Sequence, residues 1–193
     1  MPIDALLIFY YATQVALYQT ALSRPASDIS TLEKQDFKHV QLLYSCLQAT
    51  KSVFDLIFSL DRKYYFYFSL ITWSSLRFAL IGLQQLSVFE DPEWDLNYVR
   101  DTLDFLWVLD ELYARFEKAA AELNFDEEHV FPRTAKKMRL ARAYCQERMA
   151  APMSRTERGN SDYEDLPLLD DLWFQDVFGM LECQPNATGI PDM

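Results

Sequence analysis

Apolar residues recur at helical spacing along most of the first 150 positions of the chain. Between Glu33 and Leu60 they return mostly at intervals of three, four and seven residues, which lines one face of a helix. Similar patterns predict four further helices, at about Ile3–Leu22, Ile71–Phe89, Leu96–Leu123 and Arg133–Ala150. The chain has only four glycines, which favours helices over an all-β fold. The pattern predicts an all-α fold: a single helical domain of about five helices, followed by an acidic C-terminal helical tail.

The predicted fourth helix has the clearest apolar stripe. Its members are Val99, Leu103, Leu106, Leu109, Leu112, Tyr113 and Phe116. Phe105 and Trp107 widen this face, so we expect the helix to pack on more than one side. Asp95 is placed to cap its first turn, and Pro92 ends the third helix just before it. We therefore expect the two helices to fold back on each other, with Trp94 covering the corner.

Five consecutive aromatic residues, 64–68, connect the predicted second and third helices. Because no partner strand is apparent, we interpret this connector as a buried turn or a short helix. Together with Trp73, Phe78 and Trp107, these residues could line an apolar pocket that senses a small molecule. The same side chains could equally fill the core, which is the commoner outcome for aromatic residues.

Composition limits what kind of protein this is. At 193 residues the chain suits one domain, which we divide into a helical regulatory domain at 1–150 and a linker with an acidic aromatic tail at 151–193. The formal charge of −11 argues against direct contact with nucleic acid. Three scattered cysteines do not form a disulfide framework and suit a reducing compartment. Asp4 precedes the apolar run 5–12 where a signal peptide would carry positive charge, so we expect a buried first helix, no membrane segment and an intracellular protein.

Charge is distributed unevenly towards the C-terminus. Residues 131–158 contain eight Lys or Arg and two acids, a net of 8 − 2 = +6, whereas residues 162–182 contain seven acids and no Lys or Arg. The two segments could attract each other, although a solvated helix face is the simpler interpretation of the basic one. The candidate residues for such an intramolecular contact, or for contact with another anion, are Arg133, Lys136, Lys137, Arg139 and Arg142.

The stretch LPLLDDLWFQDVFGMLE, 166–182, alternates acids with large apolar residues. Such alternation is typical of activation segments, because the acids keep the aromatic side chains solvated until a partner groove accepts them. The candidate partner-binding residues are Leu169, Leu172, Trp173, Phe174, Val177 and Phe178. The segment could dock on the basic fifth helix of its own domain or on a coactivator, and a switch between these two states is our hypothesis.

No motif for catalysis or cofactor binding is recognisable. The four glycines lie far apart, and His39 and His129 are not spaced as a metal pair. Cys46 falls inside the second helix and is most simply a small core residue, whereas Cys145 and Cys183 could be surface thiols. We therefore expect no enzyme activity, no catalytic or metal-binding residue and no cofactor in this chain.

Residues 40–150 resemble the C-terminal part of the regulatory domain, or middle homology region, of fungal zinc-cluster transcription factors. That family carries a helix of the form CLEAAKSLLDLFLSL, an aromatic segment leading into a tryptophan-bearing helix, a DDPGWDL turn and a VRETLDLxxVLDRLIERLE helix. The matching pieces here are Cys46-Leu47-Gln48-Ala49, Lys51-Ser52, Trp73, Leu76, Ala79, Leu80, Asp91-Pro92-Glu93-Trp94-Asp95, Val99-Arg100 and Leu103-Asp104. The stretch 170–174 is similar to the acidic DDxWLxxxL segment in which members often end.

The resemblance implies an all-helical regulatory and protein-interaction domain of a nuclear transcription factor. In the family, effectors, intramolecular contacts or partner proteins act through this region, and a separate six-cysteine cluster contacts DNA. That cluster is absent here, so zinc and DNA binding are assigned to no residue. The expected partner is a coactivator or another transcription-regulatory protein. A small-molecule-sensing domain and a stand-alone inhibitor of a full-length factor are the alternatives, and the oligomeric state is left open.

Overall fold

The computed structural model describes residues 2–22, 32–89, 91–122 and 124–150, and over these residues it confirms the all-α prediction. The α-helices are α1 (Pro2–Tyr18), α2 (Leu32–Ser59), α3 (Leu70–Val88), α4 (Leu96–Thr102), α5 (Phe105–Glu122) and α6 (Val130–Ala150). Short 3₁₀ helices follow α1, at Gln19–Ala21, and α2, at Arg62–Tyr67. The second of these is the short helix that the aromatic connector predicted. The linker and acidic tail, 151–193, lie outside the described residues.

Helices α1, α2 and α3 pack together around a shared apolar core. Ile8, Ala12 and Val15 form the buried face of α1, one residue per helical turn. Gly82 of α3 faces Val15 so closely that a Cβ atom on the glycine would lie 2.8 Å from the valine Cγ1 atom. Cys46 of α2 is fully buried beside this contact, and burial raises the pKa of its thiol to about 12. Cys46 is thus a core residue, as predicted, and it remains a neutral thiol at physiological pH.

The corner between α3 and α4 is held by Trp94. The indole ring is almost fully buried, and its Nε1–H group donates a hydrogen bond to the Leu86 carbonyl oxygen at 3.0 Å. The ring also contacts Tyr44 of α2, with centroids 4.9 Å apart. Next to it, the Asp95 carboxylate caps α4 by accepting hydrogen bonds from the backbone N–H groups of residues 97 and 98. The structure confirms three local predictions: the third helix ends before Pro92, Trp94 covers the corner, and Asp95 caps α4.

The predicted fourth helix is two helices rather than one. Leu103 adopts an extended backbone, with φ −159° and ψ 98°, and this ends α4. The Asp104 carboxylate then accepts a hydrogen bond from the Trp107 backbone N–H group at 2.7 Å, which starts α5 afresh. The spacing of apolar residues gives no sign of this break, because Leu103 is buried even though its backbone is not helical. The predicted role of Trp107 in the packed face also needs correction, since its side chain is 52% exposed.

Helices α5 and α6 form a second packed pair. Asn124 leaves α5 in the left-handed region, with φ 51°, and the following Phe125 N–H group donates to the Ala120 carbonyl oxygen at 3.1 Å. The buried side of α6 is larger than predicted and consists of Phe131, Thr134, Ala135, Met138, Ala141 and Cys145. Cys145 is therefore not a surface thiol, because its position continues the apolar stripe that faces the core.

Candidate functional site

The two helical packs meet at an aromatic junction formed by Tyr65, Phe68, Trp73, Phe116 and Phe131. Phe116 of α5 lies at its centre: its ring is 5.4 Å from Trp73, and 5.8 Å from both Tyr65 and Phe131, measured between centroids. Phe68 closes the cluster against Tyr65 and Trp73, at 4.9 and 5.6 Å. The 3₁₀ helix, α3, α5 and α6 each contribute a ring. Among the described elements that follow α2, the junction therefore couples the positions of all except α4.

The polar edge of this junction is fully paired. The Tyr65 hydroxyl donates a hydrogen bond to the Ile57 carbonyl oxygen at 2.9 Å and accepts one from Arg115 Nη1 at 3.1 Å. Arg115 also binds Glu111 on its own helix and lies over the Phe58 ring, 5.1 Å from its centroid. Because a buried hydroxyl is costly unless it is hydrogen-bonded, this arrangement lets Tyr65 be a core residue.

A second aromatic stack continues from the junction towards solvent. The His129 imidazole lies flat on Phe125, with centroids 3.5 Å apart and an interplanar angle of 4°. Phe66 stacks on Phe125 as well, at 5.7 Å. The His129 Nδ1 atom is also the acceptor for the Phe131 backbone N–H group at 3.5 Å, at the start of α6. Partial burial lowers the pKa of His129, and the nearby Asp126 carboxylate offsets only part of this effect.

We expect folding stability to fall as the pH drops below about 6.5, the pKa of an unfolded histidine. The pKa of His129 is lower in the folded chain, so protons bind the unfolded state more readily and favour unfolding. The loss should grow through the interval between the two pKa values and then stay constant. Urea unfolding between about pH 5.5 and 7.5 measures the slope.

His129→Gln should flatten this slope, because it removes the titrating group and keeps a polar side chain. His39→Gln is the matched control: it removes the chain's other histidine and leaves the stack intact. An equal slope in wild type and His129→Gln would show that the stack does not govern this pH dependence.

Only some of the residues predicted to line a pocket come together. Tyr65, Phe68 and Trp73 are in ring contact within the aromatic junction. Phe78 is 39% exposed on α3, and Trp107 lies elsewhere, edge-on to Phe58 at 5.5 Å. The rings that do converge fill the core against one another, which agrees with the core interpretation of these aromatic residues.

The basic residues predicted on the fifth helix are distributed over two sides of α6. Arg142 pairs with Asp110 of α5. Arg139 lies close to Tyr113 of α5, where its charge opposes part of the rise in the Tyr113 pKa that the hydrogen bond to Glu117 causes. Lys136 and Arg139 are exposed, whereas Arg133 and Lys137 are half-buried. Part of the positive charge is thus matched by α5 itself. The predicted partner-binding residues, 169–178, lie outside the described residues.

Helix α1 carries an exposed apolar surface that the sequence pattern did not predict. The outer face of α1, opposite its buried face, is formed by Ile3 (70% exposed), Leu6 (67%), Phe9 (51%), Tyr10 (54%) and Leu17 (65%). Apolar residues on all sides of this helix were interpreted as burial, but α2 and α3 cover one side. Exposed apolar side chains grouped on one helix face are a signal for interaction.

Neither a metal-binding cluster nor a membrane-spanning helix is present among the described residues. No group of three or more His, Cys, Asp or Glu side chains in that part of the chain is arranged to hold a metal ion. Among the same residues, no helix combines the length and the apolar character needed to cross a membrane.

Comparison with known proteins gives two matches. A family model described as a C-terminal domain, ATEG07667_C, matches residues 63–187. The transcription factor opdL of Penicillium oxalicum is 27% identical over 128 residues, which cover 65% of this chain and 22% of that factor. The chain thus matches less than a quarter of the length of this relative. No solved structure matches. The resemblance to fungal transcription factors is confirmed, and neither match concerns a zinc cluster.

Proposed function

Because the chain belongs to the ATEG07667_C family of C-terminal domains, we propose that it is a regulatory and protein-interaction domain of a fungal transcription factor. It acts in the nucleus, regulates transcription without enzyme activity and leaves DNA contact to other parts of the factor. The observation that carries the proposal is the similarity to opdL, which is named as a transcription factor and of which this chain matches a limited part.

The acidic tail is the element that we propose to contact the transcription machinery. The family match extends to residue 187, so it includes α3 to α6 and most of the linker and tail, 151–187. Trp173, Phe174 and Phe178 supply apolar contacts, and the seven acids of 162–182 keep them accessible to a coactivator groove. In the resting state of this proposal, the same segment contacts the exposed basic residues of α6, Lys136 among them. Opposite charge supports this second position, since residues 131–158 carry a net charge of +6.

A reporter assay tests the activation role. Fused to a heterologous DNA-binding domain, the whole chain should activate transcription, and the variant Trp173→Ala/Phe174→Ala/Phe178→Ala should lose most of that activity, about tenfold or more. The expected loss follows from hot-spot energetics, in which a few aromatic anchors supply most of the binding energy. Tyr163→Ala, in the same tail and outside the apolar cluster, is the matched control and should keep full activity.

A further variant separates activation from autoregulation. Lys136→Glu should raise reporter activity if the tail rests on α6, while Lys118→Glu, at an exposed lysine of α5, should leave it unchanged. Equal effects of the two variants would remove the resting contact from the proposal. A fusion that is silent, and stays silent in every variant, would overturn the activation role.

A further inference from the structure

The solvent-facing side of α6 carries an exposed leucine among basic residues. Leu140 is 55% exposed, and it follows the fully buried Met138 by two positions, which turns it about 200° away from the core. On the helix surface its neighbours are Lys136 and Lys137, one turn earlier, and Ala143, one turn later. Leu140, Lys136, Lys137 and Ala143 form the Leu140 patch. An apolar centre beside two cations suits a partner that carries both apolar side chains and acids.

The acidic segment 162–182 is tethered within reach of this patch. Helix α6 ends at Ala150, which is 150 − 140 = 10 residues and about 15 Å beyond Leu140. The connection 151–161 has 161 − 150 = 11 residues. A chain of this length spans about 18 Å as a random coil and about 36 Å when fully extended, so the segment can return along α6. A tether of this kind gives an effective concentration in the millimolar range, at which even a weak contact is populated.

The segment supplies the two kinds of group that the patch accepts. Its central aromatic pair, 173–174, has acids on both sides, at 170–171 and at Asp176. An aromatic ring on Leu140 removes apolar area of both side chains from water, and the flanking acids then come close to the lysines. The outer face of α1 offers only apolar contact, because residues 2–22 contain one acid and no Lys or Arg. Charge complementarity therefore favours the patch on α6 as the place where this segment docks.

We propose that the Leu140 patch is the docking site of the chain's own segment 162–182, with Trp173 seated on Leu140 and the flanking acids facing Lys136 and Lys137. The inference rests on the resting contact of the proposed function and gives that contact a position. Docking occupies an aromatic residue that a coactivator groove would also take, so the segment cannot make both contacts at once. The apparent affinity for a coactivator therefore falls in proportion to the undocked fraction of the segment.

Fluorine NMR of the full chain, labelled with 5-fluorotryptophan, measures this contact at Trp173. The Trp173→Phe variant assigns its resonance among those of the four tryptophans. The labelled peptide 162–182 gives the position of the undocked side chain. In wild type the Trp173 resonance should lie away from the peptide position. It should move towards that position as the salt concentration rises, because salt screens the contact between acids and lysines.

Two leucine variants locate the contact. Leu140→Ala should lower the ratio of docked to undocked segment about fivefold, because it removes apolar area from the contact and keeps every charge. Leu42→Ala, at a 42% exposed leucine of α2, is the matched control and should leave this ratio unchanged. Both positions are exposed, so neither change should disturb the core. Circular dichroism of each variant verifies that it is folded.

Three results would overturn the inference. A wild-type Trp173 resonance at the peptide position would show that the segment is undocked. A displaced resonance that Leu140→Ala leaves unchanged would place the contact elsewhere, and Leu6→Ala would test the outer face of α1 in the same way. A displaced resonance that does not respond to salt would remove the lysines from the contact.

These readouts do not depend on transcription, so the docking site and the activation role can fail separately. A silent reporter fusion together with a docked Trp173 would overturn the activation role alone. An active fusion together with an undocked Trp173 would overturn the docking site alone.

Discussion

Phe116→Ala is expected to lower the free energy of unfolding by about 3–5 kcal/mol, the range found for removing a large buried aromatic side chain. Phe116 is fully buried and its ring contacts three others, which come from three different elements. Its loss would leave a cavity where the two helical packs meet. The surrounding rings are held by their own helices and can collapse into the space only in part.

Urea unfolding of the full chain, followed by circular dichroism, measures this loss. Phe66→Ala is the matched control, because it removes the same side chain from a position that is 50% exposed and should cost less than about 1 kcal/mol. Similar losses in the two variants would show that the aromatic junction does not hold the packs together.

Gly82→Leu is the second substitution with a large expected effect, a loss of about 3 kcal/mol or more from overpacking. The first atom of any side chain at this position would lie 2.8 Å from Val15 Cγ1 and 3.2 Å from Gln19 Nε2. The Val15 side chain is stiff and fully buried, so α1 must move away from α3 to make room for the leucine. The higher helix propensity of leucine returns less than about 1 kcal/mol and does not offset the clash.

A double-mutant cycle identifies the cause of this loss. Gly82→Ala should destabilise wild type by about 1 kcal/mol, because the clash exceeds the gain in helix propensity. In a Val15→Ala background the same change should be neutral or stabilising, since the clashing methyl group is gone. Additive effects, measured as unfolding free energies, would mean that the α1–α3 approach is looser than the structure indicates.

Helical periodicity predicted most helices correctly, because the spacing of apolar residues shows which face of a segment is buried. The Asp95 cap and the Trp94 corner were also predicted, because each is marked by residues close together in the sequence. The break at Leu103 escaped prediction because the residue is apolar and buried on either interpretation. Which helix packs against a given face depends on the tertiary fold and not on the neighbouring sequence. Sequence therefore could not show that α1 is covered on one side only, nor that Trp107 faces largely outward.

The candidate site was predicted less completely than the fold. Five aromatic residues in succession predicted a buried connector, but only Tyr65 among them is fully buried, and Phe66 and Tyr67 are exposed. The contact of Tyr65 with Phe116 could not be predicted locally, because the two residues are 116 − 65 = 51 positions apart. Charge alone pointed to α6, and it could not show that Arg142 already pairs with Asp110. The partner-binding residues of the tail stay predictions, because they lie outside the described residues.

The close approach of Gly82 to Val15 bears on how the family match relates to the packed helices. The family match starts at residue 63, yet α3, which contains Gly82, is covered on one side by α1 and α2. Both of these helices precede residue 63. A protein fragment that began at residue 63 would lack α1 and α2, so the apolar side of α3 would be exposed to water. The family match therefore starts inside the packed core and leaves out two of the helices that cover α3.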